Sequence, residues 1–401
     1  MPVPRITRIE TTTTPRLPGL LVTRVHTDEG IVGSGESYYI PRAVAAIIHD
    51  WMAPRLIGAD ALNTEGHYRF LYERATNFGA RGAELRAISA IDLALWDIKA
   101  QMAGMPLWQL LGGRVQEGVR IYSSIGYGKA APRPGGSWPG YGQMGEPAPL
   151  NDYWRAVNEP EALAQELLAE GIGGLKLWTL DFAAHQPNGN LYITPADLEK
   201  GLAPFHAIRA AVGHRLELLL DGHGFFQLPA ALRIAEAMRE IRPLCLEDVI
   251  RPDCVDTIRD FRDRGGVPIA VSEMLISTED YRLVLEKRAA DYIMIDPTWV
   301  GGVSQTLRIT DLAQAYNIPV MMHDCTGPLT LLAGVHVGIA RGNVAWQETV
   351  RVNLRERYPA LVTGFPAVRN GLITAPEGNG IGTRWDDALF ADSATVEVSG
   401  K

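Results

Sequence analysis

The chain has 401 residues, 46% hydrophobic and 21% charged, which allows one large globular domain with a smaller companion. Its net charge of −8, from 38 basic and 46 acidic side chains with no Lys/Arg cluster, argues against non-specific nucleic-acid binding. No run reaches the length of a membrane span, the N-terminus has no apolar signal stretch, and Cys245, Cys254 and Cys325 are too few and scattered for a disulfide framework or a zinc knuckle. A reducing cytoplasm fits that usage.

Residues 4–37 read as strands: ITRIETTTT and LLVTRVHT are rich in Thr, Val and Ile, with a turn at Asp28-Glu29-Gly30. Residues 41–112 read as helices. In AELRAISAIDLALWDIKAQMAG, Leu85, Ile88, Ile91, Leu95 and Ile98 fall on one side at helical spacing, and Gly104 and Pro106 end the run. These segments make an α+β domain of residues 1–118.

From VRIYSSI onward, strand-like runs alternate with amphipathic helical ones such as PAALRIAEAMREI. Eight strands are expected at 119–124, 173–178, 216–221, 243–247, 268–273, 292–296, 319–323 and 344–348, the grammar of a β/α barrel over residues 119–365. Residues 366–401, rich in turns, are expected to return to the first domain. Two long insertions, 127–154 and 179–193, leave the C-terminal ends of the first two strands and should lie over the site. In the first, Tyr127, Trp138 and Tyr141 are candidates to close over a ligand, with plain loop packing equally compatible. In the second, His185 is best read as a loop residue.

Four short apolar runs end abruptly in charge: LELLLDGHG, PLCLEDV, IAVSEML and IPVMMHDCTGP, delivering Asp221, Glu247, Glu273 and His323. Asp221 to Glu247 is 26 residues, and Glu247 to Glu273 is 26 again, about one β/α unit each. The acids therefore occupy the same place in successive units, on one rim of a closed barrel. Three converging carboxylates repel unless a cation holds them, and a hard divalent metal is the simplest one.

The barrel also shows Lys176 in GGLKLW, His223 in DGHG, Asp296 in DPTWVGG and Glu348 in WQET, following SAIDLALWDIKAQMAGMPLWQLLGG. As an ordered set along the whole chain, these motifs resemble the enolase superfamily, closest to its mandelate racemase-like branch. The resemblance implies a (β/α)7β-type barrel under an α+β capping domain built from both chain ends. It also implies Mg²⁺ on Asp221, Glu247 and Glu273, and a His323–Asp296 dyad that abstracts a proton α to a carboxylate. Lys176 would add positive charge where the enediolate forms, and Glu348 would hydrogen-bond the substrate carboxylate. His223 stands where acid-sugar dehydratases of this branch keep the general acid for the departing hydroxyl.

One position departs from the pattern. Racemases and some dehydratases of the branch carry Lys-x-Lys at the second barrel strand, whereas here the motif is Lys176-Leu177-Trp178. A two-base racemase is thereby disfavoured, and Trp178 is expected to shape the pocket. The favoured function is a Mg²⁺-dependent hydro-lyase of a small sugar acid, aldonate or aldarate, acting as a homo-oligomer. An epimerase or cycloisomerase using the same enediolate is one rival, and a non-catalytic binding protein on the same barrel is another.

Overall fold

The computed structural model describes residues 3–15, 17–128, 145–386, 388 and 395–401. Trp138 and Tyr141 lie outside the described residues.

The first domain is an antiparallel sheet of β1 (Ile6–Thr14), β2 (Leu17–Thr27) and β3 (Val32–Tyr38), packed under helices α1 (Thr64–Ala75) and α2 (Ala83–Met102). Leu85, Ile88, Ile91, Leu95 and Ile98 of α2 are all buried to 1% exposure or less, as the helical spacing requires. Each contributes roughly 1.5–3 kcal/mol of burial. Backbone contact between α2 and β3 is so close that a Cβ at Gly33 or Gly35 would strike the carbonyl oxygens of Ala94 or Ala90.

The barrel strands are β4 (Val119–Ser124), β5 (Gly174–Leu177), β6 (Glu217–Asp221), β7 (Cys245–Glu247), β8 (Ile269–Val271), β9 (Tyr292–Ile295), β10 (Val320–Met322) and β11 (Val344–Val350). All run parallel in chain order, and β11 pairs with β4 to close the barrel. Each lies within two residues of its expected bounds. Among the described residues, the seven longest helices between them are α3 (Pro160–Ala169), α4 (Pro195–Val212), α5 (Leu228–Met238), α6 (Val255–Gly265), α7 (Thr278–Glu286), α8 (Gly302–Ala315) and α9 (Pro328–Ala340). The barrel interior is plugged by Tyr122, Leu219, Cys245, Ala270, Met294, Met321 and Trp346, a packed layer rather than a pore. The last strand, β12 (Thr395–Gly400), pairs antiparallel with β1 at the edge of the first sheet.

The two domains are joined by buried polar contacts. From α2, Asp92 accepts the Ser304 hydroxyl at 2.5 Å and its backbone N–H at 3.0 Å, and the Ser89 hydroxyl accepts the Gly301 N–H. Within the barrel domain, Arg351, fully buried just past β11, donates to Asp152 and to Glu166, tying α3 and the segment before it to the last strand.

His336 of α9 ties the barrel to both flanking segments. Its Nε2 donates to Ile381 O at 3.0 Å and its Nδ1 accepts the Trp108 N–H at 3.1 Å, so the buried ring is neutral. Burial lowers its pKa to about 4 from 6.5. Its contribution to stability is therefore complete above pH 6.5 and is lost as pH falls toward 4, where the unfolded chain binds the extra proton. Between pH 7.5 and 4.5 the wild type is expected to lose about 2–3 kcal/mol more than His336→Gln in urea unfolding. Equal losses in the two proteins would remove this assignment.

Candidate active site

Strand ends place the charged groups. Asp221 and Glu247 are the last residues of β6 and β7, and Glu273, Asp296 and His323 lie just past β8, β9 and β10. Lys176 and Glu348 sit within β5 and β11.

The structure brings Lys176, Asp221, Glu247 and Glu348 into one cluster. Lys176 Nζ lies 2.8 Å from Glu247 Oε1, 2.8 Å from Glu348 Oε1 and 3.1 Å from Asp221 Oδ2. Burial opposes the charge on Lys176, but Glu247, Glu348 and Asp221 outweigh it and hold the ammonium well above its ordinary pKa. Burial also pushes Asp221 up, yet His223 and Lys176 bring it down to about 2. Glu247 is driven well above the usual carboxylate range by burial and by the Asp221 charge. The cluster is short of positive charge.

Two histidines flank it. His323 Nδ1 is 2.8 Å from Asp296 Oδ2, and its Nε2 faces Glu348 Oε2 at 3.8 Å. His223 Nδ1 is 2.8 Å from Asp181 Oδ2, and its Nε2 faces Asp221 Oδ2 at 3.6 Å. In both, a carboxylate holds Nδ1–H and turns Nε2 toward the centre. Burial works against the charged form of each ring. Asp221 and Asp181 nevertheless raise His223 to about 9, and Cys325, Glu273, Glu348 and the Asp296 hydrogen bond hold His323 well above 6.5. His223 takes up a left-handed backbone at φ 47°, uncommon outside glycine, with its N–H donating to Asp221 Oδ1.

Trp178 is buried, donates its indole N–H to Ile125 O, and packs at a tilt against Tyr153 (4.2 Å between ring centres) and Tyr127 (5.6 Å) and edge-on against His223 (5.9 Å). It forms the wall behind His223. His185 packs edge-on against Phe225, one ring further out.

Sequence reasoning missed four partners. Asp181 sits in a four-residue helix inside the second insertion, and nothing in its spacing couples it to His223. Cys325 Sγ lies 3.7 Å from His323 Nε2, and its offset of two from that histidine was a usable signal. Thr298 donates its N–H and hydroxyl to Asp296 Oδ1, both at 2.8 Å. Glu36, from β3, accepts the N–H and hydroxyl of Thr330 at 2.6 Å, and the Thr330 and Thr298 hydroxyls are 3.2 Å apart.

Among the described residues, no three Asp, Glu, His or Cys side chains are gathered as a ready metal cage. The donor chemistry nonetheless fits a hard dication. Asp221, Glu247 and Glu273 offer oxygen alone from adjacent strand ends, and Glu273 Oε2 is buried with no hydrogen-bond partner.

A capped β/α barrel with its charged groups on the C-terminal rim is an enzyme architecture. Residues 159–389 match the family described as enolase C-terminal domain-like, and residues 4–112 match the mandelate racemase/muconate lactonizing enzyme N-terminal domain. The chain belongs to the enolase superfamily, in its mandelate racemase branch. It is 30% identical to a D-mannonate dehydratase of Rhizorhabdus wittichii, over 92% of this chain and 90% of that protein. It is 29% identical to a D-xylonate dehydratase of Haloferax volcanii, over 98% and 90%. A crystal structure of a mandelate racemase subgroup enolase from Agrobacterium tumefaciens is 34% identical and superposes with a TM-score of 0.86, covering 99% of both chains. The chain is an enzyme of the hydro-lyase class to which those dehydratases belong. Among the described residues, no helix is long and apolar enough to cross a membrane.

Proposed function

We propose that this protein dehydrates a polyhydroxy sugar acid to a 2-keto-3-deoxy acid. The observation that carries the reading is the pair of histidines whose Nε2 atoms face one lysine–carboxylate centre from two sides, each held by its own carboxylate. One site thus holds a base and an acid. Asp221, Glu247 and Glu273 would hold Mg²⁺, which when bound supplies positive charge to the substrate carboxylate.

His323 Nε2 takes the C2 proton while Asp296 orients the ring and stabilises the imidazolium. Lys176 offers its ammonium to the carboxylate oxygens as negative charge moves onto them. The contact is worth about 4 kcal/mol at an effective dielectric near 20, so even partial strengthening in the transition state matters. His223, protonated through the Asp181 and Asp221 charges, gives its proton to the 3-hydroxyl, which leaves as water. The enol then ketonises. Cys325, Glu273 and Glu348 together hold the His323 ring above its ordinary pKa, and a cation that offsets the charges of Glu273 and Glu348 would bring the ring back toward the range of a base. Trp178 leaves β5 without a second lysine, which favours elimination over two-base racemisation.

Mass spectrometry of an acid-sugar library incubated with the protein and Mg²⁺ in D₂O tests this. Loss of one water from one or a few acids is expected. Deuterium uptake without water loss would move the function to an epimerase or cycloisomerase. No change in any acid would mean a substrate outside the library, or a barrel that has lost its chemistry.

A further inference from the structure

Arg86 is the fourth residue of α2 and packs against Trp299, three residues past Asp296 at the end of β9. Its guanidinium carbon lies 4.1 Å from the centre of the Trp299 ring and 5.5 Å from that of Tyr39. Trp299 sets its ring against the His323 imidazole, with centres 5.4 Å apart. One aromatic ring therefore separates Arg86 from the residue assigned to take the substrate proton.

Three features make this a costly place for a cation. Burial withdraws the guanidinium from water and lowers its pKa, against the opposing charges of Asp296, Tyr39, Cys325 and Glu273. It stands in the first turn of a helix, where the macrodipole disfavours positive charge. Among the described residues no carboxylate lies within ion-pair distance of it, and its one hydrogen bond is Nη1 donating to Tyr38 O at 3.3 Å. The segment that presents Tyr39 and this carbonyl is itself strained: Tyr39 has φ 62° and the β-branched Ile40 has φ 37°.

A guanidinium carries five N–H donors in a fork that matches a carboxylate. The aromatic faces steady its charge without using those donors, so all but the one given to Tyr38 O are left for a ligand. We propose that Arg86 binds the far carboxylate of a dicarboxylic sugar acid, so that the substrate is an aldarate-type diacid. This rests on the sugar-acid reading above. One carboxylate of the substrate goes to the Lys176 centre and the other to Arg86, with the polyol between. The D-mannonate and D-xylonate dehydratases are named for monoacids, and a diacid preference sets this chain apart from them.

Isothermal titration in Mg²⁺ with matched four- to six-carbon aldonates and aldarates, in a His323→Asn background that slows turnover by orders of magnitude, reads binding without requiring dehydration. The diacid of a matched pair is expected to bind at least about tenfold tighter. Arg86→Met is expected to weaken the diacid by about 10–100-fold and the monoacid much less, with Arg86→Lys recovering part of the loss. Equal affinity for the two classes with Arg86 intact overturns the proposal, whatever the variants' stability. So does an equal loss for both classes on substitution. Tight diacid binding that depends on Arg86, without water loss from the diacid in the wild type, keeps the Arg86 assignment and removes the dehydratase reading.

Discussion

His323→Asn is expected to abolish deuterium exchange at C2 and to lower kcat by about 10²–10⁴-fold, the usual contribution of a positioned general base. Asparagine keeps a donor near Asp296 but has no basic nitrogen to set in place of Nε2. His223→Asn should behave differently. With His323 intact, the C2 proton still exchanges with solvent, while water loss falls because the 3-hydroxyl has no acid to protonate it. NMR of the recovered substrate in D₂O separates the two outcomes. Exchange that persists in His323→Asn at the wild-type rate would transfer the base role to another group.

Lys176→Met is expected to be the most damaging single change to the site's stability. In the wild type the ammonium lies within 3.1 Å of three carboxylates, all buried. Removing the cation while leaving the acids exposes an uncompensated buried charge, which costs about 3–5 kcal/mol. The deficit has a predictable pH dependence. Without lysine, at least one carboxyl is held protonated above its unfolded pKa, so the folded variant binds more protons than its unfolded chain. Its stability therefore rises relative to wild type as pH falls from 8 toward 5. Added Mg²⁺ should narrow the deficit by the same electrostatic route. Urea unfolding in chelator and in Mg²⁺, at both pH values, checks this. A deficit indifferent to pH and to Mg²⁺ would mean that Lys176 acts through packing alone.

The barrel was legible because parallel strands buried on both faces read as apolar runs, and because each run ended in a chemically committed residue. Asp221, Glu247 and His323 could be placed on one rim by counting alone, since β/α units have nearly constant length. The first helical stripe was equally plain, as Leu85 to Ile98 bury one continuous face. What stayed hidden was every contact made across large chain separations by irregular segments. Asp181 meets His223 only because the second insertion folds a short helix that carries its carboxylate to the imidazole. Glu36 meets Thr330 only after the first domain docks on α9. The insertion of Lys176 between carboxylates was also invisible, because sequence shows which charges share a rim but not which of them touch.

The Glu36–Thr330–Thr298–Asp296 chain constrains how such an enzyme can be altered. The first domain carries Arg86 toward the ligand, and it also supplies the buried acceptor at the far end of the contacts that hold the dyad's carboxylate. Exchange of that domain between relatives is therefore not a free choice of specificity. A graft lacking an acceptor at position 36 would leave the N-terminus of α9 and Thr330 unsatisfied, and the error would be transmitted to the imidazole. Modularity in this architecture stops at β3, and recombination is best made within the loops beyond it.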